Sequence, residues 1–223
     1  MAELSKLNSQ CRKPFPVANA GYPMIFGAAF ATVILALLDL TTLTVIGLVT
    51  TFAFGGFFRD PERIIPAKPG AVVSPADGKV IAAGSVDKSP FYTGQSIKIS
   101  IFMSVFNVHV NRVPYAGQVK DTSYHPGKFF SANLQKASLQ NEHNAVNIEV
   151  EDGKQLCVVQ VAGLIARRII CQAQPGDQVL RGQRFGLICF GSRLDVYLPA
   201  DFELGVAVGD KVKAGTSILG QLG

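Results

Sequence analysis

Two uninterrupted apolar runs stand near the start of the chain, and beyond residue 70 apolar positions alternate with polar ones. Residues 24–38 read MIFGAAFATVILALL without a charge, and after Asp39-Leu40-Thr41-Thr42 residues 43–58 read LTVIGLVTTFAFGGFF. Each run falls slightly short of the ~20 residues that span a bilayer comfortably. Residues 18–23, or Thr41 and Thr42, bring each close to that length. The pattern predicts a tight helical hairpin with Asp39 at the turn. Arg12 and Lys13 precede it and Arg59 and Arg63 follow it, so positive flanks predict both ends on the cytoplasmic side. A cleaved signal peptide has a single apolar region ending at a small-residue site, which this pair does not resemble. A hairpin buried in a soluble core is the competing reading.

Phe58-Arg59-Asp60-Pro61-Glu62-Arg63 marks the exit from the apolar region, and Pro66 and Pro69 make a short linker. The chain therefore divides into residues 1–65, a membrane-associated helical hairpin with its linker, and residues 66–223, a β-rich domain. Ile97, Ile99 and Ile101 alternate with Lys98 and Ser100, and Val146, Ile148 and Val150 alternate with Asn147, Glu149 and Glu151. Period-two runs bounded by Gly, Pro and Asp predict half-buried antiparallel strands. Helix is scarce after residue 70 except around residues 131–139. One short motif repeats: GDxVxxG occurs at residues 176–182 and again at 209–215. Gly-Asp makes a turn, the Val enters the core and the second Gly permits another turn. Ser74-Pro75-Ala76-Asp77-Gly78-Lys79-Val80 is a related turn-then-strand unit. The set resembles the antiparallel β-sandwich of biotinyl and lipoyl carrier domains, with its two half-motifs. No Met-Lys-Met or Asp-Lys-Ala tripeptide is present, so the carrier's acceptor lysine is missing. The fold class expected is mainly β, a sandwich preceded by the apolar hairpin.

Net charge is +5, with no long Lys/Arg run and no Trp, which excludes the usual electrostatic footprint of a nucleic-acid binder. A basic balance beside an apolar segment suits an anionic membrane surface. Cys11, Cys157, Cys171 and Cys189 have neither CxxC nor zinc-type spacing, so no metal site is expected. The last three lie in apolar stretches and read as small core residues in a reducing compartment.

Three histidines are the candidate acids and bases. If Phe106-Asn107-Val108-His109-Val110-Asn111-Arg112 is a strand, Asn107, His109 and Asn111 share one face. Such a polar face is unlike core, which makes His109 a candidate acid or base, although a lone strand histidine is more often structural or simply exposed. His125 precedes Pro126-Gly127 and reads as a turn residue; His143 fits either role. Asp77 before Gly78 is ordinary turn chemistry. Ser192 follows Gly191 at the end of an apolar strand over residues 186–190, and no Gly-x-Ser-x-Gly elbow marks an ordinary esterase.

In this order, the apolar N-terminus, Phe58-Arg59-Asp60-Pro61, Ser74-Pro75-Ala76-Asp77-Gly78, the segment from Phe106 to Arg112, Asn141-Glu142 and Phe190-Gly191-Ser192-Arg193 resemble the phosphatidylserine decarboxylase family in its short prokaryotic form. The resemblance implies a proenzyme that cuts itself between Gly191 and Ser192. Residues 1–191 would form a long chain and 192–223 a short one, with Ser192 converted to a pyruvoyl cofactor capping the short chain. The pyruvoyl carbonyl would condense with the amine of the phospholipid's serine head group and act as the electron sink for decarboxylation, the role pyridoxal phosphate plays elsewhere. Phosphatidylethanolamine would be the product. The same resemblance implies that Ser192, His109 and Asp77 are catalytic, Asp77 orienting a histidine. Relatives often carry a second His where Arg112 stands, and arginine is no base, so His109 or His143 would take both proton-transfer parts. Arg112, or Arg167 and Arg168, would hold the lipid phosphate or carboxylate. The implied partners are a phospholipid and the inner membrane, with the catalytic domain in the cytoplasm and a homo-oligomer left open. Archaetidylserine as substrate, a membrane-anchored carrier or adaptor without catalysis, and a pyruvoyl decarboxylase of a soluble amino acid are the alternatives.

Overall fold

The computed structural model describes residues 16–133, 137–150, 153–164, 168–189 and 191–223. Two compact units divide the chain, one ending at Glu62 and the other spanning Arg63–Gly223.

In the first unit a 3-10 turn, Asn19–Gly21, leads into α1 (Tyr22–Leu37), and α2 (Thr41–Phe57) returns beside it. Pro23 in the first turn of α1 costs no hydrogen bond, because the first amides of a helix have no intrahelical acceptor. Asp39 turns the chain with φ 55°, a left-handed conformation that Asp tolerates better than most residues. The helices pack closely where Gly47 faces Thr32; a Cβ on Gly47 would sit 2.5 Å from the Thr32 hydroxyl. Thr32, Thr50 and Thr51 return their hydroxyls to carbonyls four residues earlier, so these polar groups are satisfied within the helices. Phe26, Phe30, Leu37 and Phe52 point outward at 66–78% exposure, where a hairpin in a soluble core would bury them. Residues 19–37 are long and apolar enough to cross a membrane, whereas α2 has 17 residues and falls short of that length.

The second unit runs in chain order β1 (Ala71–Val73), β2 (Gly78–Val86), β3 (Ser96–Met103), β4 (Val110–Arg112), β5 (Gly117–His125), α3 (Ala137–Gln140), β6 (His143–Glu149), β7 (Gln155–Ala162), β8 (Ile169–Cys171), β9 (Gln178–Val179), β10 (Arg184–Ile188), β11 (Ser192–Pro199), β12 (Glu203–Leu204), β13 (Lys211–Val212) and β14 (Ile218–Gln221). An eight-stranded sheet has the order β13-β2-β3-β11-β7-β6-β5-β9; the sheets β4-β10-β8 and β1-β14-β12 have three strands each. Among the described residues every ladder between these strands is antiparallel. The mainly-β expectation is borne out, and helix after residue 70 reduces, among the described residues, to the short α3.

Alternation places Ile99, Ile101 and Met103 of β3 on the same face as Leu194, Val196 and Leu198 of β11, and all are buried in the main core. The opposite face is covered as well: Cys157, Val159, Val161 and Tyr197 pack beneath Phe91 and Tyr92. The central strands are therefore buried on both faces, where the sequence pattern predicts burial on one. The polar members of that second face, Arg193, Asp195 and Lys98, reconcile the difference by pairing with one another.

The repeated GDxVxxG motif forms two equivalent devices at opposite edges of the large sheet. Val179 enters as β9 beside β5, and Val212 enters as β13 beside β2. In each, the motif's Asp carboxylate accepts a backbone N–H three residues earlier, Gln174 for Asp177 and Ala207 for Asp210. The closing glycines, Gly182 (φ 79°) and Gly215 (φ 72°), both face Ile65, which leaves no room for a side chain at either.

Candidate functional site

At one end of the eight-stranded sheet the first residue of β11 lies between the last residues of two neighbours. Ser192 is opposite Met103 of β3 and Ala162 of β7. Ser104, Gly163 and Gly191 consequently leave the sheet side by side. Gly191 holds φ 69°, a conformation that costs a side-chain-bearing residue about 1–2 kcal/mol. Its carbonyl group lies against Gly163: a Cβ built on Gly163 would collide with the Gly191 oxygen and sit 3.1 Å from its carbonyl carbon. Two glycines thus shape the peptide that leads into Ser192.

The second sheet delivers His109. Val110 pairs with Leu187 in the β4–β10 ladder, and the His109 carbonyl accepts the N–H of Ile188. The imidazole is fully buried, and its Nε2 accepts the N–H of Gly191 at 3.4 Å. An accepting Nε2 carries a lone pair, so the neutral ring has its proton on Nδ1. Ser192 is also fully buried, and its hydroxyl has no hydrogen-bond partner among the described residues. A buried hydroxyl of that kind costs about 1–3 kcal/mol. The chemistry available is a nucleophile, a neighbouring base in its basic form and a carbonyl held by glycines.

The expected strand over residues 106–112 is confined to Val110–Arg112. Before it, Asn107 folds back: its Oδ1 accepts both the N–H and the hydroxyl of Ser104, at 2.9 and 2.8 Å. The two-face pattern fails with it, since residues 108–112 are all buried. Asn111 is buried because it has partners. Gln160 donates to Asn111 Oδ1 at 2.9 Å and accepts from Asn144 at 3.2 Å, forming an amide chain through the core. Gln160 and Gly163 carry no sequence signal of their own, being one Gln within a buried strand and one Gly at its end.

Asp77 takes a different place from the expected one. Its Oδ2 accepts from Arg63 at 2.8 Å and its Oδ1 from the Ala214 N–H at 2.7 Å, so its carboxylate is committed to those two groups and bonds no histidine. It sits where β2 begins, at the same sheet end as Ser192 but two strands away. His143 is a correction as well. It pairs with Val161, the residue before Ala162, and therefore faces the side of the sheet opposite Ser192. There its Nδ1–H donates to the Asn141 carbonyl at 2.7 Å, and its ring stacks on His125 in a cleft of about 410 Å³ with Phe91 and Asp121.

Arg112 is buried, and its Nη1 donates to the Gly182 carbonyl at 2.9 Å, so it braces a turn and is not presented to solvent. Arg168 is exposed, and its carbonyl accepts the N–H of Cys189, two residues before Gly191. Burial pushes the Cys189 thiol up, and the Arg168 charge partly offsets that rise. Arg167 and Phe190 lie outside the described residues. Behind Ser192, Arg193 forms an ion pair with Asp195 at 2.8 Å and donates to the Ala132 carbonyl, while Lys98 approaches Asp195 at 3.2 Å. Asn141 ties the Phe130 and Ala162 carbonyls together at 2.7 Å each, bracing the loop beside Gly163.

Residues 51–220 match the family model described as phosphatidylserine decarboxylase. The phosphatidylserine decarboxylase proenzyme of Desulfotalea psychrophila is 52% identical over 207 residues, covering 93% of this chain and 97% of that protein. The proenzyme of the same name from Geotalea uraniireducens is 53% identical over 210 residues, 94% of this chain and 98% of its own. Near-complete coverage in both directions means that the glycine pair, His109 and Ser192 lie within the matched region, and the chain belongs to the phosphatidylserine decarboxylase family.

Proposed function

We propose that this chain is made as a proenzyme, cleaves itself between Gly191 and Ser192, and then decarboxylates phosphatidylserine to phosphatidylethanolamine and CO₂. The observation that carries the reading is His109 Nε2 accepting the Gly191 N–H, one residue before a buried, unsatisfied Ser192 hydroxyl, at a left-handed glycine.

In this account His109 takes the Ser192 hydroxyl proton as the oxygen attacks the Gly191 carbonyl carbon. The C–N bond breaks, the Ser192 nitrogen gains a proton, and an ester joins Gly191 to the Ser192 side chain. Loss of the Ser192 Cα proton then expels the Gly191 carboxylate and leaves dehydroalanine. Hydrolysis releases ammonia and leaves the pyruvoyl group on residues 193–223, with 1–191 as the long chain. Ser192 fits as precursor because no other described group competes for its hydroxyl. Met103 and Ala162 flank the position, and His109 bonds the N–H of the preceding residue, Gly191. When formed, the group supplies a carbonyl that draws off the electrons left behind as CO₂ departs. His109 remains the residue positioned to return a proton to the substrate carbon. Asp77 is a positioning residue in this account, holding the Ser74–Gly78 turn through Arg63 and Ala214. Arg168 offers the lipid phosphate its charge; Arg112 is buried, and His143 is buried on the opposite face of the sheet, so neither does.

The hairpin attaches the protein to the inner membrane with residues 66–223 in the cytoplasm, supported by the apolar outer surface of α1 and α2 and by positive residues at both ends. The test is release of labelled CO₂ from carboxyl-labelled phosphatidylserine by the purified chain, with and without prior treatment with phenylhydrazine. Activity that the carbonyl reagent abolishes is the expected result. Activity that survives it rejects the pyruvoyl mechanism, and no activity from cleaved protein rejects the substrate.

A further inference from the structure

Three described side chains at the mouth of the site are large, apolar and turned to solvent. Phe106 is 83% exposed, Leu164 63% and Val105 40%. The strand register brings them together. Because Ser192 is opposite both Met103 and Ala162, residues 104–106 and 163–164 leave the sheet on either side of Gly191. A Cβ on Gly191 would lie 3.9 Å from Val105 Cγ1, which places that side chain at the cleavage site itself.

The tip carrying Val105 and Phe106 is a built feature. Asn107 Oδ1 accepts from the Ser104 amide and hydroxyl, and the Asn107 N–H returns to the Ser104 carbonyl at 3.0 Å. A four-residue turn so closed holds its two middle side chains outward. Grouped exposed apolar residues beside a site usually mark a binding surface. The inferred substrate is a lipid whose reacting head group lies at a bilayer surface and whose chains lie beneath it. The exposed cation Arg168 stands at the same mouth and complements anionic lipid.

We propose that Val105, Phe106 and Leu164 form a docking rim that enters the bilayer surface around Gly191 and Ser192, independently of the helical hairpin. The rim brings the sheet end down to the head-group level, so that the substrate reaches the site without leaving the membrane. The proposal rests on the phospholipid reading of the site.

The chain has no Trp, so Phe106→Trp introduces a single indole at the tip. The full-length variant is reconstituted into vesicles of phosphatidylglycerol and phosphatidylcholine, with or without acyl-chain bromination. Blue-shifted emission quenched by the brominated lipid is expected. Emission like that of indole in water overturns the rim; so does a blue shift without quenching, which points to a second protein surface. A paired variant, Phe106→Ser with Leu164→Ser, is expected to lose about tenfold more turnover on long-chain lipid in vesicles than on a water-soluble short-chain analogue, since each side chain gives up apolar burial. Equal losses contradict the proposal. Mass analysis of the same samples reports on self-cleavage separately. An uncut chain with a quenched indole keeps the membrane dock and rejects the decarboxylase reading.

Discussion

Gly163 and Gly191 are both required to be glycine, for different reasons. Gly191 has open space at its Cβ position but a φ of 69°, whereas Gly163 has no such strain and abuts the Gly191 carbonyl. Gly191→Ala is therefore expected to destabilise the uncut chain by about 1 kcal/mol, measured as a lowered unfolding midpoint in a background that cannot cleave. Gly163→Ala is expected to slow cleavage on the order of 100-fold by displacing the carbonyl that is attacked, followed as the disappearance of full-length chain on a gel. Cleavage at the normal rate in Gly163→Ala would show that the carbonyl position is not critical. His109→Ala is expected to slow cleavage on the order of 100-fold as well, and normal processing would remove His109 from the base role. His109 stood out as one of three histidines, and Ser192 only through its place in an ordered set of motifs. The partners of Asp77 and the direction of His143 were not. The first depends on Arg63 and Ala214, 14 and 137 positions away, and the second on a one-residue register that only the paired sheet fixes.

At the scale of elements, β11 decides the fate of the two fragments after the cut. It is central in the large sheet, paired along its length with β3 and along most of it with β7, and the same fragment contributes β12, β13 and β14. The short chain thus supplies strands to the eight-stranded sheet and to β1-β14-β12, though none to β4-β10-β8. The expected result is co-elution of the two fragments in native size exclusion and separation only in denaturant; separation in buffer contradicts it. Asp77→Ala removes a mostly buried ion pair and a charge-assisted bond to Ala214 of the short chain. It is expected to lower stability by about 2–3 kcal/mol, read from denaturant unfolding, and an unchanged midpoint would show the contacts to be incidental. Period-two runs located β3 and β6, and apolar runs located both helices. The run over residues 106–112 misled because Asn107 offers its side chain to Ser104, and that local bond wins over a sheet ladder for the first half of the segment.

For the molecule as a whole, the cysteines report on how closed the β unit is. Burial foremost, and the negative charge of Asp195 next, push the Cys157 thiol up to about 12. A thiol whose folded value lies above its unfolded one, near 8.5, favours the neutral form. Its contribution to stability is full below the unfolded value and is lost as pH rises from about 9 through 12. Cys157 is therefore expected to resist alkylation at pH 8 in folded protein and to react once urea unfolds it, checked by peptide mass mapping; rapid labelling under native conditions would contradict the packing. The helical pair was legible from composition alone, because the apolar excess is concentrated before residue 59, where α1 and α2 form. Burial of the large sheet on both faces was not, since it depends on Phe91 and Tyr92 in a loop without periodicity.

The central claim is that Gly191–Ser192 is the bond that breaks, and intact mass spectrometry of the purified wild-type chain beside Ser192→Ala tests it most directly. The account predicts two fragments from the wild type, the smaller with the mass of residues 193–223 capped by pyruvoyl, and one uncut chain from the variant. A folded wild-type chain that stays whole, or a variant cut at the same place, would contradict it.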